Sequence, residues 1–344
     1  MRGNQFGKVF CLNTFGESHG PAMGAIVDGC PAGVVWQPEM LERFLERRRP
    51  GTNKLTSARQ EPDQVEILSG VFDGLTLGTP IAAVIYNQDA RSADYKEEQI
   101  KQRQGHSTDL WAAKYGHSDP RGSGRASGRE TVSRVIGGAI ARMLVTQIYP
   151  EAQVIAFTSR VGRIAMSDAD CVDAAEALEA DPWQVDELSA RCPSPEKNEQ
   201  MEMLLTEARE VGESFGGEAL VRVAGLPRGL GQPVFGKLKS EMAAGFLSLG
   251  ATFGLEIGQG FEAAQISGKE FHNSRQDYGG IRGGLSTGEP MTFKVAFKPT
   301  STRGEMAVGG RHDPCIVPRA VPVLEAMAWL VLADQILLAR LDRV

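Results

Sequence analysis

The sequence reads as an α+β protein on three observations. β-Branched runs that end in turn residues recur at uneven spacing, helical periodicities stand apart from them, and strand and helix do not alternate as in a doubly wound sheet. In the first ninety residues, Ala25-Ile26-Val27 runs into Asp28-Gly29, Val65 to Leu68 into Ser69-Gly70, and Ile81 to Tyr86 follows Gly78-Thr79-Pro80. Each is read as a strand. Between them, Pro38 to Arg49 places Met40, Leu41, Phe44 and Leu45 on one face, a short amphipathic helix stopped by Pro50-Gly51. From Glu130 to Pro150, Val132, Val135, Ile136, Ala139, Ile140, Met143 and Leu144 keep helical spacing, and the pair Gly137-Gly138 predicts a close helix contact. Residues 166–209 are acidic and alanine-rich, with breaks at Pro182, Pro193 and Pro195. They are expected to form surface helices joined by a loop, a variable appendage on a single domain spanning 1–344. Strands are expected at Ala219 to Val223 and Gly254 to Ile257, flanking a helix from Val234 to Leu249. Met291 to Phe297 alternates apolar and polar residues, the pattern of a half-buried strand. The last helix, Val321 to Leu341, is apolar apart from Glu325, Asp334 and Arg340, and is read as a core or subunit-interface helix.

The charge balance limits the partners. With 37 basic and 43 acidic residues, the net charge of −6 opposes nucleic-acid binding, which needs excess positive charge to displace counterions. Clustered arginines are therefore local sites in an acidic protein. Five cysteines lack paired spacing, so neither a disulfide framework nor a metal site is expected from them, and isolated buried thiols are. The N-terminal stretch lacks the pattern of a secretory signal, and no charge-free apolar run reaches about 18 residues, so a cytoplasmic protein without a membrane partner is expected.

Arginines recur every fourth residue in Arg121-Gly122-Ser123-Gly124-Arg125-Ala126-Ser127-Gly128-Arg129, immediately before the periodic helix. Glycines let backbone amides approach a ligand, serines add hydroxyls, guanidinium groups fork onto oxyanions, and a helix start adds its positive dipole end. The chemistry is that of a phosphate or carboxylate cradle. Arg47-Arg48-Arg49-Pro50-Gly51-Thr52-Asn53-Lys54 gathers four cations at a helix end, either a solvated face or a second phosphate clamp. His19 sits in Gly16-Glu17-Ser18-His19-Gly20, and His106 beside Gly105, each placed to act as an acid near neutral pH or to bond its turn. Gly279 to Gly288 is a second glycine-rich loop. Lys298-Pro299-Thr300-Ser301-Thr302-Arg303 groups hydroxyls and cations, and Asp313 in Arg311-His312-Asp313-Pro314 reads equally as a base or a turn cap.

These segments, in this order over nearly the whole chain, resemble the chorismate synthase family. The motifs that carry the resemblance are Gly16 to Gly20, Arg47 to Thr52 with Glu61 to Val65, Lys114 to Thr131, Gly212 to Gly217, Gly283 to Gly288, and Arg311 to Ala320. The resemblance implies a β-α-β sandwich with a helical layer between antiparallel sheets, assembled as a homotetramer. It implies a carbon–oxygen lyase that eliminates phosphate from 5-enolpyruvylshikimate 3-phosphate to give chorismate, using reduced FMN, with NADPH as a possible flavin reductant. His19, His106 and Asp313 match the family's catalytic positions. Arg125, Ala126, Ser127, Gly250, Ala251, Gly283, Lys298, Pro299, Thr300, Ser301, Thr302 and Arg311 match flavin-contacting positions, and Arg48, Lys54, Ser18 and Arg129 match substrate or NADP phosphate positions. Gln104 and Thr108 depart from the family's Pro-Gly-His-Ala-Asp, Gln276-Asp277 from its Asn-rich turn, and the link from Thr300 to Arg311 is short. These departures bear on how tightly flavin is held. A flavin- or NADP-dependent oxidoreductase is the rival reading, but no Gly-x-Gly-x-x-Gly joins a strand to a helix ahead of an acidic partner.

Overall fold

Two five-stranded antiparallel sheets face each other across a layer of helices. The computed structural model describes residues 3–49, 63–88, 105–119, 121–273, 278–301 and 313–342. The first half of the chain supplies β1 (Gln5–Phe6), β2 (Cys11–Gly16), β3 (Ala22–Asp28), β4 (Ala32–Val35), α1 (Pro38–Arg48), β5 (Val65–Ile67), β6 (Val71–Phe72), β7 (Leu75–Leu77), β8 (Ile81–Tyr86), α2 (Thr108–Tyr115) and α3 (Thr131–Ile148). The second half supplies β9 (Gln153–Val161), β10 (Ile164–Ala165), α4 (Asp168–Ala177), α5 (Pro195–Val211), β11 (Gly217–Ala224), α6 (Leu238–Leu247), β12 (Thr252–Ile257), α7 (Gly268–Phe271), β13 (Ile281–Arg282), β14 (Leu285–Ser286), β15 (Met291–Phe297) and α8 (Val317–Ala339).

The first sheet runs β1-β2-β3-β8-β5 and the second β10-β9-β11-β15-β12, while β4-β7-β6 and the β13-β14 hairpin are small outliers. Helix α3 lies on β2 and β3, α8 lies on β9 and β11, and the two helices pack on each other. The fold class expected from the sequence is therefore the one observed. In β15 the predicted alternation holds: Met291, Phe293, Val295 and Phe297 are buried, and the residues between them are partly exposed. In β3, Met23, Ala25 and Val27 point into the core, and Gly24 leaves room for the Phe15 ring, which a Cβ there would strike, as it would the Ala83 carbonyl oxygen at 2.6 Å.

The glycine pair of α3 does what the spacing predicts. A Cβ on Gly138 would lie 2.8 Å from the Ala326 carbonyl oxygen and closer still to its Cα and Cβ, so the backbones of α3 and α8 touch here. Helix α8 has the length and hydropathy of a membrane span, but 94% of its most apolar stretch is buried. Its two interior acids are satisfied within the protein. Asp334 Oδ1 accepts the backbone amides of Lys8 (3.0 Å), Val9 (2.6 Å) and Phe10 (3.0 Å). Glu325 pairs with Arg47 of α1 and accepts the Ala156 amide of β9 at 3.2 Å.

Two helix starts differ from expectation. Helix α6 begins at Leu238 rather than Val234, leaving Val234 and Phe235 exposed in the preceding loop. Helix α8 begins at Val317, four residues early, with Pro318 in its first turn and Pro322 in its interior. Pro322 has no N–H for the Pro318 carbonyl, which an unbroken helix would supply. Arg191 supplies the donor instead, its Nη1 bonding Pro318 O at 2.6 Å while Nη2 bonds Arg47 O at 2.5 Å. Burial pulls the Arg191 guanidinium down to about 10 against the support of Asp186. The acidic 166–209 segment does form helices, but the loop between them is not a surface appendage: it drives Val185, Ala190, Arg191 and Cys192 into the core.

Gly138→Ala should destabilise the fold, although alanine is ordinarily the better helix former by about 1 kcal/mol. Overpacking costs about 1–3 kcal/mol, and an unchanged or raised urea midpoint would show that the helices do not touch. Arg191→Met should lower the same midpoint, each abandoned carbonyl costing about 1–3 kcal/mol; a midpoint equal to wild type would remove the role given to Arg191. All five cysteines are buried, and burial raises the thiols of Cys30 and Cys192 to about 11 and those of Cys171 and Cys315 to about 12. At neutral pH a thiol reagent should therefore label the native protein slowly and the guanidine-unfolded protein at once.

Candidate active site

A cavity of about 780 Å³ opens where the start of α3, the start of α8 and the end of α1 meet the ends of β2 and β15. His19, His106 and Asp313, far apart in sequence, all line it, together with Arg48, Arg125 and Arg129.

His19 rides on the turn after β2. Gly16 (φ 94°) begins the reversal, and the Gly20 amide donates to Glu17 O at 3.0 Å to close it. The buried imidazole faces Ser18, with Nδ1 3.2 Å from the hydroxyl oxygen. Ser18 itself does not line the cavity; it lies behind His19, its amide 3.4 Å from Gly124 O. Asn87, at the end of β8, clamps the turn by donating from Nδ2 to Glu17 O (3.1 Å) and Gly20 O (2.8 Å).

The arginine ladder divides. Residues 121–126 and 128–130 form 3₁₀ turns rather than one helical face, with Ser123 (φ 66°) and Gly124 (φ 51°) in the left-handed region. Arg121 turns outward and pairs with Asp119 at 2.8 Å. Arg125 lies along β2, bonding Thr14 Oγ1 at 2.5 Å, with weaker contacts to the carbonyls of Thr14 and Gly16. Arg129 is buried; its Nε donates to Asn87 Oδ1 at 3.2 Å, and its Nη1 bonds Asp63. Ser127 caps the second turn by accepting the Arg129 amide at 3.3 Å.

At the end of α1, Arg47 and Arg48 of the cation run are buried and paired rather than solvated. Arg47 is consumed by Glu325 and Asp186. Arg48 donates to Asp63 (3.0 Å), Thr131 Oγ1 (3.1 Å) and Gly128 O (3.3 Å), so it braces the loop while still bordering the cavity. Asp63 receives both Arg48 and Arg129 from a left-handed backbone (φ 48°), an uncommon conformation for a residue other than glycine. One carboxylate thus serves two guanidinium groups.

Asp313 enters just ahead of α8. Its Oδ2 accepts from Arg319 Nη1 at 2.6 Å, and its carbonyl accepts from Thr300 Oγ1 at 3.1 Å. Lys298 reaches from the end of β15 to Ser301 Oγ (3.0 Å) and Gly105 O (3.3 Å), joining that strand end to the segment bearing His106. Ala251 holds a left-handed φ of 71° and accepts the Lys298 amide at 2.9 Å. Arg134 steadies this turn from α3, bonding Ser248 Oγ at 2.5 Å and Ser248 O at 3.2 Å. Cβ atoms built on Gly128 and Gly250 would meet no protein atom within 4 Å, so backbone lies bare at both places along the cavity.

Of the residues expected at the site, His19, Arg48, His106, Arg125, Ala126, Ser127, Arg129, Gly250, Ala251, Lys298, Thr300, Ser301 and Asp313 line the cavity. Pro299 does not, and Gly283 (φ 63°) lies in the turn of the β13-β14 hairpin, away from it. Lys54, Thr302 and Arg311 lie outside the described residues, as do Gln104 and Gln276-Asp277. Sequence reasoning gave no site role to Asp63, Asn87, Arg134 or Arg319, and the contacts that tie Asp63, Asn87 and Arg134 into the site join residues 15 to 114 positions apart. A second hollow of about 600 Å³ shares Trp111, Ser123 and Arg125 with the first and is lined by Glu17, His117 and Asp119. Burial pushes the Glu17 carboxyl up against the pull of Arg125, while hydrogen bonding from Arg121 holds Asp119 below the usual carboxylate range.

The family profile described as Chorismate synthase matches residues 10–337. The chain is 51% identical over 348 residues to a chorismate synthase of Bdellovibrio bacteriovorus, covering 100% of both, and 42% identical over 365 residues to that of Porphyromonas gingivalis, covering 99% of this chain and 97% of the other. A solved structure described as a crystal structure of chorismate synthase superposes with a TM-score of 0.78 at 31% identity, over 98% of this chain and 94% of that one. With the profile spanning nearly the whole sequence and these relatives matched from end to end, the chain belongs to the chorismate synthase family and is a lyase.

Proposed function

We propose that this enzyme eliminates phosphate and a ring proton from 5-enolpyruvylshikimate 3-phosphate, in a 1,4-anti sense, to give chorismate, with reduced FMN bound beside the substrate. The observation that carries the reading is the meeting of His19, His106 and Asp313 on one cavity that also holds Arg48, Arg125 and Arg129. A substrate with one phosphate and two carboxylates calls for several guanidinium groups in a confined space, and the adjoining starts of α3 and α8 add their positive dipole ends.

The residues present suit a flavin. The bare backbone at Gly128 and Gly250 and the apolar side chains of Leu12, Val323 and Met327 give a flat ring system room and contact. Arg125, Ala126, Ser127, Gly250, Ala251, Lys298, Thr300 and Ser301 would hold it, the charged and hydroxyl groups among them meeting its phosphate. Bound reduced flavin supplies electron density to the substrate and regains it, so no net oxidation results.

His19 is the proposed acid for the departing phosphate, with Ser18 orienting its ring from behind. His106 places a second imidazole at the flavin end, where its positive form balances negative charge. Asp313, kept in place by Arg319 and Thr300, offers a carboxylate to help receive the ring proton. The proposed setting is cytoplasmic, and the proposed assembly is a homotetramer. The exposure of Phe235 (92%) and Phe253 (75%) on the single chain supports an assembly that would cover them, and light scattering tests it. NADPH is the proposed flavin reductant, to be checked by loss of flavin absorbance on adding NADPH to enzyme and oxidised FMN.

An anaerobic assay with dithionite-reduced FMN tests the reaction. Phosphate should be released without net consumption of reductant, and release that tracks reductant loss one for one would contradict the elimination. In this assay His106→Ala should lose about tenfold or more in turnover, since placed proton donors contribute about 10²–10⁴. Near-normal turnover by a folded His106→Ala protein would end the role given to His106.

A further inference from the structure

The side chain of Asn87 joins the turn that carries His19 to the guanidinium group of Arg129. Its Nδ2 gives both hydrogens to the turn, one to Glu17 O at 3.1 Å and one to Gly20 O at 2.8 Å, on either side of Ser18-His19. Its Oδ1 takes the Nε hydrogen of Arg129 at 3.2 Å. Its own amide donates to Pro21 O at 3.0 Å, so backbone as well as side chain binds β8 to this reversal. The donors and acceptors around Asn87 dictate the orientation of the amide. Two carbonyl oxygens demand an N–H donor at one end, and a guanidinium demands an acceptor at the other. An aspartate would set lone pairs against two carbonyls, and an apolar side chain would satisfy neither end. Arg129 is held independently by Asp63, which also holds Arg48, so the arginine is a fixed post against which the turn can be set.

We propose that Asn87 is a positioning residue for the elimination: it sets His19 at a constant distance from the Arg129 guanidinium, and so sets the proton donor against the group that anchors the substrate anion. The proposal rests on the roles given above to His19 and Arg129. Asn87 does not line the cavity and acts through the turn. Misplacing a reacting group by about 1 Å can cost on the order of 10²-fold in rate. Asp63 still holds Arg129 when Asn87 is changed, so the loss should fall on kcat more than on KM.

The test uses the full-length enzyme with Asn87→Asp and Asn87→Ala, the first nearly isosteric in case the second fails to fold. Two readouts are taken: steady-state kinetics with reduced FMN under anaerobic conditions, and the imidazole NMR signals of histidine-labelled protein, with the His19 signal assigned by its loss in His19→Gln. The expected result is a drop in kcat of about 10- to 100-fold with KM changed by less than about threefold. The His19 signal should move while that of His272, just after α7 and outside the cavity lining, stays. In the His19→Ala background, Asn87→Ala should cost less than about a further twofold, because residues that act as a unit are not additive. An unmoved His19 signal overturns the proposal, as does a full additive loss in the His19→Ala background. Should His19→Ala itself turn over normally, the proton-donor role fails on its own; the His19 signal then decides the coupling, a shift supporting it and an unmoved signal overturning it.

Discussion

A helical layer covered on both faces by sheets offers charged groups no water, and the structure follows from how each charge placed there is met. Glu325 meets Arg47 and the Ala156 amide, Asp186 is shared by Arg47 and Arg191, and Asp334 collects three consecutive amides. Arg142, stacked over Trp183 at 4.4 Å and near Phe44 and Trp329, is pulled down to about 10 by burial, opposed chiefly by Glu325. Unpaired charges in such a layer would cost several kcal/mol each. Pairing ties α1, α8 and the loop around Asp186 into one arrangement, and it decides where the helix ends emerge.

The cavity is built from those ends. The end of α1 delivers Arg48, the approach to α3 delivers Arg125 and Arg129, and the approach to α8 delivers Asp313. Charge is arranged there in layers. Asp63 offsets part of the positive charge of Arg48 and Arg129, and Arg319 accompanies Asp313. Guanidinium groups thereby border the cavity without forming a dense knot of mutually repelling charge. Left-handed backbone at Asp63 and Ala251 lies beside it, which is where conformational strain collects in functional sites.

Elements with a strict local period were legible from the residues alone. The alternation of β15 and the apolar spacing of α3 name their buried faces correctly, and the Gly137-Gly138 pair announces the contact with α8. Strand β2, Cys-Leu-Asn-Thr-Phe-Gly, shows no legible alternation, because its two polar residues are consecutive and Thr14 faces the cavity and Arg125 rather than solvent. The start of α8 at Val317, with Pro322 in its interior, was not legible, because no local rule foretells that Arg191 will replace a missing helical donor. The arginine runs illustrate the same limit. Composition named their charge, but only long-range pairing separates Arg47, spent on Glu325, from Arg125, which borders the cavity. His19, His106 and Asp313 were found through ordered motifs, and Asn87 could not be, since its partners come from a reversal near residue 18 and a loop near residue 129.

The order of elements along the chain has a consequence for biosynthesis. Helix α8, the wall between the two sheets, follows every strand of both, and Asp334 within it binds amides 324 to 326 residues earlier. Until α8 is made, the inner face of the second sheet and the side of α3 that packs on α8 lack the helix that covers them. Loop closure over such separations is slow, and exposed apolar faces invite association in the meantime. Closure of the native sandwich therefore waits for α8, on which both α3 and the second sheet pack, and the uncovered faces are most open to association in that interval.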